Sequence, residues 1–544
     1  MRFHRCTIIF TLLTLAAYAA DHNMSGEPAS APRFTGMGNA HHTVTTSSPE
    51  AQAFFDQGMA LVFGFNHDEA ARSFKRAAEL DPKLAMAYWG IALTQGANYN
   101  LPSFPEREKA AAEAMKQAVA LAPGASESEQ DYIQALAHRY SNDPKADLKS
   151  LAIDYRDAMR ALMQKYPDDL DAATLFAESA MNLRPWQLWS VDQKPAVGTM
   201  EIVATLESVL KRNPNHLGAN HYYIHAVEAG PFPEHALASA QRLAALAPAS
   251  GHLVHMPAHI YIRTGDHDAA AKSNIAAAAA DRAYFKQAGV QGIYMAMYYS
   301  HNLHFLANAY SMEGRFADAM AAAAQLDAHV SPMLKDMPML DVFMPTTPFM
   351  MVRFHKWDDI LKHAEPGPEP TLQNSMWRYA RGMAFAAQGK TDNAAKERSL
   401  LADAAQKVPP DQMANRNTAK AVMELALNVL DARIAQARKD YTAEEKFLNA
   451  AVTQQDKLNY IEPPEWYYPV RESLGCLYLM TNRAADAEQT FRADLDRNPR
   501  NGRSLLGLME SLIAQKKMHD AEMVQEAFDS AWKNADTKIT ADEL

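Results

Sequence analysis

Apolar and small residues recur along the chain with the spacing of amphipathic helices, in pairs of segments joined by short polar turns. No segment shows the strict alternation of apolar and polar residues that is typical of a β-strand. The pattern therefore predicts an all-α fold. It is clearest in residues 51–84, where small and large apolar residues occupy fixed positions in two predicted helices: Gly58, Leu61, Ala70, Phe74, Ala77 and Pro82.

The same positions recur in residues 468–501, where they hold Gly475, Tyr478, Ala487, Phe491 and Pro499. Small residues let two helices approach, large residues fill the groove between them, and proline ends the second helix. This pattern is typical of the tetratricopeptide repeat (TPR), a helix–turn–helix unit of 34 residues that stacks into a solenoid. The intervening chain carries a weaker version of it, and we expect 11 or 12 repeats in one right-handed superhelix.

The chain divides into four predicted segments: a signal peptide at 1–20, a linker or N-terminal arm at 21–48, N-terminal and central repeats at 49–334, and C-terminal repeats with a cap at 335–544. Arg2 and Arg5 precede the apolar run of the signal, and cleavage is expected after residue 19 or 20. The mature protein is therefore expected to be periplasmic or secreted.

The net charge limits the classes of partner. The formal charge is −11, and loss of the predicted signal removes two arginines and no acid, which makes it −13. An acidic protein is poorly suited to nucleic acid. No segment approaches 18 uninterrupted apolar residues, so no transmembrane segment is expected. Cys476 is the single cysteine after cleavage and is predicted to be a small buried residue.

Four histidines form two pairs whose members lie four residues apart. The pairs are His221 with His225 and His255 with His259. The second pair repeats the first at the period of the TPR, because 255 − 221 and 259 − 225 both equal 34. Residues four apart share one face of a helix, so the two pairs should project from the same face of neighbouring helices.

Further candidate ligands occupy positions of the first helix in each repeat that face the concave surface: Glu178, Glu228, His301 and His304. Adjacent packed helices lie about 8–10 Å apart, so imidazoles from neighbouring helices can converge on one ion. We expect a divalent transition metal such as Zn, Fe, Mn or Cu, with Glu228 as a ligand or, in an enzyme, as the general base. An insertion before Ser300 weakens the case for the seventh repeat. The alternative is a polar groove in which the histidines hydrogen-bond an acidic peptide.

Other residues have simpler interpretations. Five histidines at helix ends or turns are expected to be caps or surface residues: His67, His216, His235, His252 and His267. His41 and His42 are expected to be solvated, although they would be extra ligands if the arm folded back. The methionine-rich residues 333–351 are expected to fill a helical core, with Cu(I) binding as the alternative. The aromatic residues 460–468 are expected either to staple a helix or to form a rim over the groove.

The segments FFDQGMALVFGFNHDEAARSFKRAAELDP, NHLGANHYYIHAVEAG, GHLVHMPAHIYIRTG and EPPEWYYPVRESLG resemble a family of exported bacterial TPR proteins. The resemblance spans about residues 38–507 and implies the fold and export, but no catalytic residues. We therefore expect an exported TPR scaffold that binds a protein or peptide partner in its concave groove and holds a transition metal in its central repeats. The alternatives are a metal-dependent hydrolase or oxidase, and a metal storage or delivery protein. The sequence indicates no oligomeric state.

Overall fold

The computed structural model describes residues 30–38, 40–143, 145–289, 292–367 and 371–544. Within these residues the fold is all-α, and the strands are a single antiparallel pair of two residues each, Met413–Ala414 and Asn417–Thr418. The predicted all-α, TPR-type array of helical hairpins is confirmed. The predicted signal peptide lies outside the described residues.

The described chain divides into two compact units. The N-terminal unit comprises residues 30–263 and 272–302, and the C-terminal unit comprises residues 264–271 and 303–544. In the N-terminal unit the helices are α1 (Pro49–Phe63), α2 (His67–Leu80), α3 (Ala85–Gln95), α4 (Pro105–Leu121), α5 (Glu127–Ala137), α6 (Leu148–Lys165), α7 (Leu170–Met181), α8 (Thr199–Arg212), α9 (Leu217–Val227), α10 (Leu237–Leu246), α11 (Gly251–His255), α12 (Pro257–Arg263) and residues 272–288 of α13 (His267–Ala288).

The C-terminal unit has the same hairpin organisation. Its helices are residues 303–312 of α14 (Ser300–Met312), α15 (Phe316–Val330), α16 (Thr346–Arg353), α17 (Trp357–Lys362), α18 (Leu372–Ala387), α19 (Thr391–Lys407), α20 (Ala419–Ala437), α21 (Tyr441–Gln455), α22 (Val470–Met480), α23 (Ala484–Leu495), α24 (Gly502–Ala514) and α25 (Met518–Ala531). Consecutive helices pack in pairs, for example α1 on α2 and α3 on α4 in the N-terminal unit, and α20 on α21 and α24 on α25 here.

The repeated glycines and phenylalanines explain the close packing of these pairs. A Cβ atom built on Gly58 or on Gly90 would lie 2.5 Å from a ring carbon of Phe74, so the ring occupies the space that both glycines leave. Helix ends are satisfied locally, since Asp169 caps α7 by accepting a hydrogen bond from the Ala172 N–H at 3.0 Å. Ser126 and Glu129 form a reciprocal capping box at the start of α5.

The N-terminal arm packs onto the N-terminal unit. The Phe34 N–H donates to the side-chain oxygen of Gln57 at 2.9 Å, and Gly36 O accepts from the Ala249 N–H at 3.0 Å. His42 is not solvated as expected, because its Nδ1 lies 2.8 Å from Asp171 Oδ2. His41, by contrast, is exposed beside Asp56. The arm is therefore an integral part of the fold over its described residues.

The methionine-rich segment 333–351 and the aromatic segment 460–468 both contribute to the core of the C-terminal unit. Met337, Met344 and Met350 are buried hydrophobic residues, which fits a role as gap fillers. In the aromatic segment, Trp466 and Tyr467 are buried, and both rings pack on Phe349 and not over an open groove. Cys476 is buried, as predicted.

Two local features differ from a regular array. The repeat expected near residue 341 consists of the short helices α16 and α17, preceded by the 3₁₀ turns Ser331–Met333 and Pro338–Phe343. The insertion before Ser300 lengthens α13 and ends in a single π-helical turn at Met295–Tyr299. Among the described residues, no helix combines the length and the apolar character needed to cross a membrane.

Candidate metal centre

Six histidines of the N-terminal unit form one continuous cluster of rings. Helix α9 carries His221 and His225, and Glu228 directly follows its last residue. The other rings come from α11, α12 and the start of α14, and they are His252, His255, His259 and His301. Because α9 packs on α12, the two pairs predicted from the 34-residue period do meet. The shortest distance between rings of the two pairs is 5.8 Å, between the centroids of His225 and His259.

The backbone around the cluster fixes the direction of these helices. His216 caps α9 by accepting a hydrogen bond from the Ala219 N–H at 3.2 Å, as predicted for a cap. Helix α11 ends at His255 and α12 begins at Pro257, because proline has no N–H for a continuous helix. The break does not separate the second pair, since the Nε2 atoms of His255 and His259 lie 2.8 Å apart.

The first group of donors contains His221, His225 and His252. The Nε2 atoms of His221 and His252 lie 3.1 Å apart, and His225 Nε2 is buried without a hydrogen-bond partner. One ring nitrogen from each of the three residues lies within 4.8 Å of the other two. We call this set the first triad.

The second group contains His255, His259 and His301, and we call it the second triad. One ring nitrogen from each of these residues also lies within 4.8 Å of the other two. The ring centroids of His255 and His301 are 4.7 Å apart. His301 is half-buried, whereas the other five histidines of the cluster are at most 3% exposed. The π-helical turn therefore does not remove His301 from the cluster.

The Nδ1 atoms of four of these histidines face acceptors outside the triads. His221 Nδ1 lies 2.5 Å from the carbonyl oxygen of Phe63, and His255 Nδ1 lies 2.7 Å from Asn274 Oδ1. Glu228 serves two rings, with Oε1 at 2.8 Å from His225 Nδ1 and Oε2 at 2.5 Å from His259 Nδ1. Backbone carbonyls and carboxylates of this kind orient imidazoles that bind a metal through the other ring nitrogen.

These acceptors favour the tautomer that is protonated at Nδ1. A neutral imidazole that donates from Nδ1 has a lone pair at Nε2. The close Nε2 pair of His255 and His259 would therefore repel unless a proton or a cation lies between the two atoms. Two nitrogens bound to one tetrahedral or octahedral ion at about 2.0–2.1 Å lie about 2.9–3.4 Å from each other. The distances of 2.8 and 3.1 Å in the two triads are close to this range.

Burial favours the neutral form of four of these imidazoles, which is the form that binds metal. Burial lowers the pKa of His225, and it lowers the pKa values of His221, His252 and His255 well below the usual value. Burial alone would raise the pKa of Glu228, but the neighbouring His259 and His225 lower it to about 2. Glu228 is therefore ionised, and each of its carboxylate oxygens already contacts an imidazole nitrogen. A carboxylate with so low a pKa is a poor general base.

Aromatic rings enclose the first triad. Phe65 lies 4.5 Å from His221 and stacks on His225 and His252, with centroid distances of 5.8 and 5.6 Å. Trp186, from the aromatic loop between α7 and α8, lies 5.7 Å from His225. These rings exclude water from the imidazoles and lower the local dielectric constant.

Two predicted ligands have other contacts. His304 belongs to the C-terminal unit, where its Nε2 contacts the hydroxyl group of Tyr467. Glu178 is buried in the N-terminal unit, where it contacts the side-chain amide of Asn182, and burial raises its pKa despite the charge of Arg139. Glu178 belongs to neither triad.

The expectation for His252 was wrong, because this side chain is 3% exposed and belongs to the first triad. The sequence did contain the signal, since His252 is at position 2 of the sixth repeat, a position expected to face the groove. His67 and His267 are buried and not surface residues, whereas His235 is exposed as expected. Asn274 and Phe65 do not occupy positions that the repeat pattern marks, so their roles beside the histidines could not be predicted from the sequence.

A second cluster, formed by His42, Asp169 and Asp171, also brings three ligand atoms together. The carboxylate oxygens of this cluster already accept hydrogen bonds from other groups of the protein. Asp171 accepts from His42 and His216, and Asp169 accepts from the Tyr132 hydroxyl at 2.8 Å while it caps α7. These hydrogen bonds attach the N-terminal arm and indicate a structural role.

No protein-family profile matches this chain, and no curated protein matches it. A human IFIT1 dimer with m7Gppp-AAAA aligns at 12% identity over 91% of this chain and 92% of that chain, with a TM-score of 0.33. A structure of Naa15/Naa10 bound to HypK-THB aligns at 13% identity over 90% of this chain and 84% of that chain, with a TM-score of 0.25. Because both TM-scores are below 0.5, no function is transferred from these proteins.

Proposed function

We propose that this protein is a TPR-type scaffold that holds a transition metal in the histidine cluster of its N-terminal unit. The observation that supports the proposal is the orientation of the rings: Nδ1 of four histidines faces an acceptor, which makes Nε2 the nitrogen that would bind the ion. The orphaned Nε2 of His225 is the expected state of a ligand atom, because buried polar groups are otherwise hydrogen-bonded.

The burial of the cluster supports an ion over a peptide as its ligand. His221 and His255 are fully buried, and His225 and His259 are each 1% exposed. A peptide in a concave groove would have to contact these side chains, whereas an ion needs only the space between their nitrogens. A set of imidazole donors suits Zn, Cu or Fe, and it suits Mn less well because Mn prefers oxygen ligands.

The proposal assigns no reaction to this centre. Glu228, the candidate base, is held by two imidazoles and stays ionised. A hydrolase or an oxidase that uses Glu228 as its general base is therefore disfavoured, and the proposal is limited to holding the metal.

Metal analysis of protein purified without a tag tests the proposal. The double variant His225→Ala/His259→Ala removes one ligand from each triad, and His235→Ala is the control because His235 is exposed outside the cluster. Wild type and control should contain at least one equivalent of a transition metal per chain, and the double variant should lose it. Equal, substoichiometric metal in all three proteins would contradict the proposal.

We also propose that the chain is exported and binds a protein or peptide partner at a surface outside the cluster. The arginines and apolar run of residues 1–20 support export, and the extended surfaces of helical-repeat arrays support a partner. Fractionation of a Gram-negative host, with mass analysis of the mature N-terminus, should find periplasmic protein that begins after residue 19 or 20. Full-length protein confined to the cytoplasm would contradict export.

Affinity capture from periplasmic extract tests whether the protein binds a partner. Recovery of no specific protein would contradict this proposal.

A further inference from the structure

We propose that the six histidines hold two ions, one in each triad, and that Glu228 couples the two sites. This inference rests on the proposed metal-binding function and goes beyond it in the number of ions and in the role of the carboxylate. It is carried by the grouping of the donor atoms, by the two hydrogen bonds of Glu228 and by the different exposure of the triads.

The donor atoms divide into two separate sets. One set takes a nitrogen each from His221, His225 and His252, and the other takes a nitrogen each from His255, His259 and His301. The two sets share no residue. Three imidazoles are a complete protein ligand set for one ion such as Zn²⁺, with a fourth position left for another ligand. The cluster therefore contains enough ligands for two ions.

Each triad also has the contact by which metal-binding imidazoles are oriented. The Phe63 carbonyl orients His221 in the first triad, and Asn274 orients His255 in the second. The close Nε2 pair is likewise present twice, as His221 with His252 and as His255 with His259.

Glu228 is the link between the triads. Its Oε1 atom accepts from His225 of the first triad and its Oε2 atom accepts from His259 of the second. An ion that binds Nε2 of one imidazole makes the Nδ1–H of that ring more acidic and strengthens its hydrogen bond to Glu228. The charge that Glu228 presents to the other ring then falls, so occupancy of one triad changes the affinity of the other. Glu228 is thus a positioning residue for both ions.

The two triads differ in their access to solvent. Every histidine of the first triad is at most 3% exposed, whereas His301 of the second triad is half-buried. The second triad is consequently the more accessible of the two to solvent.

The stoichiometry of Co²⁺ binding to the full chain tests this inference. The matched variants are His221→Gln/His252→Gln for the first triad and His255→Gln/His301→Gln for the second. Wild type should bind two Co²⁺ ions per chain, and each variant should bind one. A wild-type stoichiometry of one, or the loss of both ions in either folded variant, would overturn the inference and leave the proposed function intact. No Co²⁺ binding by wild type would instead remove the proposed function itself.

A spectroscopic measurement on wild type makes the test independent of how the variants fold. Protein loaded with Cu²⁺ is measured by electron paramagnetic resonance at one and two equivalents. Two ions in adjacent triads should give a spectrum broadened by spin coupling at two equivalents, with a matching loss of the isolated-ion signal. An isolated-ion spectrum that saturates at one equivalent, with the second equivalent free in solution, would overturn the two-ion arrangement.

Discussion

At the scale of single residues, Glu228 is the carboxylate that links the two triads. Its carboxylate is 1% exposed and accepts hydrogen bonds from two rings that belong to different triads. A buried charge of this kind is retained only where its partners compensate for lost solvation. Here the partners are the Nδ1–H groups of His225 and His259, whose orientation the proposed ions would require.

Replacement of Glu228 by glutamine should weaken metal binding by about 10- to 100-fold, the usual effect of losing an outer-shell partner. The amide keeps one acceptor but turns its NH₂ group toward the Nδ1–H of the second imidazole. Competition with a chromophoric chelator measures the affinity, and Glu234→Gln at an exposed position is the control. Unchanged affinity in Glu228→Gln would show that the carboxylate does not orient the ligands.

Asp281 is another buried carboxyl group of the N-terminal unit. Its protonation makes the stability of the protein depend on pH. Burial raises its pKa to about 7, although Tyr294 and Asn302 donate hydrogen bonds to it. The folded state therefore holds this proton more tightly than the unfolded state, in which an aspartate titrates near pH 3.9. The contribution of Asp281 to the free energy of unfolding is therefore fully present below about pH 3.9. It is lost as the pH rises from there toward the folded-state pKa of about 7.

Asp281→Asn should remove this loss of stability, because the neutral amide matches the protonated carboxyl. Compared with wild type, the variant should gain about 1–4 kcal/mol in the free energy of unfolding between pH 4 and pH 8. Urea unfolding with a chelator present measures the difference at both pH values, and exposed Asp403→Asn is the control. A difference that is the same at pH 4 and pH 8 would contradict the shifted pKa.

At the scale of helices, the hairpins depend on glycines that let a phenylalanine ring sit between two helices. Gly58 lies in α1 and Gly90 lies in α3, and the Phe74 ring of α2 fills the space beside both. A side chain at either glycine forces the ring or the helix to move, because interiors of proteins are close-packed.

Gly58→Ala should therefore destabilise the protein by about 1–3 kcal/mol, the usual cost of overpacking, despite the better helix propensity of alanine. Gly124→Ala is the matched control, because no atom lies within 4 Å of a Cβ built there. Thermal and urea unfolding of both variants give the comparison. If Gly58→Ala were as stable as Gly124→Ala, the packing role of this glycine would be wrong.

Periodic positions were predictable from the sequence, and interactions without a period were not. The Gly–Phe spacing predicted the hairpins, and the 34-residue offset predicted that His225 and His259 would meet. His252 had a readable position in its repeat, but its place at a helix start favoured a cap. The acceptors Asn274 and Phe63 could not be found, since their positions depend on how separate helices pack and not on spacing within one helix.

At the scale of the whole molecule, the cluster connects parts of the chain that are distant in sequence. Its candidate ligands run from His221 to His301, across α9, α11, α12 and the start of α14. A bound ion stabilises the folded state by mass action, by about 2.7 kcal/mol when the free ion is at 100 times its dissociation constant. The gain belongs to the unit that contains the ligands.

Metal binding should consequently raise the melting temperature and slow hydrogen exchange within the N-terminal unit. Protection should increase in α9, α11 and α12 and stay unchanged in the C-terminal helices α20 to α25, because those helices carry no ligand. Hydrogen–deuterium exchange by mass spectrometry, with and without added Zn²⁺, provides the map. In the double variant His225→Ala/His259→Ala, the addition of Zn²⁺ should change neither the melting temperature nor the hydrogen-exchange protection. Equal protection across both units would point to nonspecific binding.

X-ray absorption at the K edge of the metal bound to untagged protein tests the central claim most directly. The account predicts a first shell dominated by nitrogen at about 2.0–2.1 Å, with the outer-shell scattering of several imidazole rings. A shell of oxygen atoms without imidazole scattering would place the metal outside the histidine cluster and contradict the account.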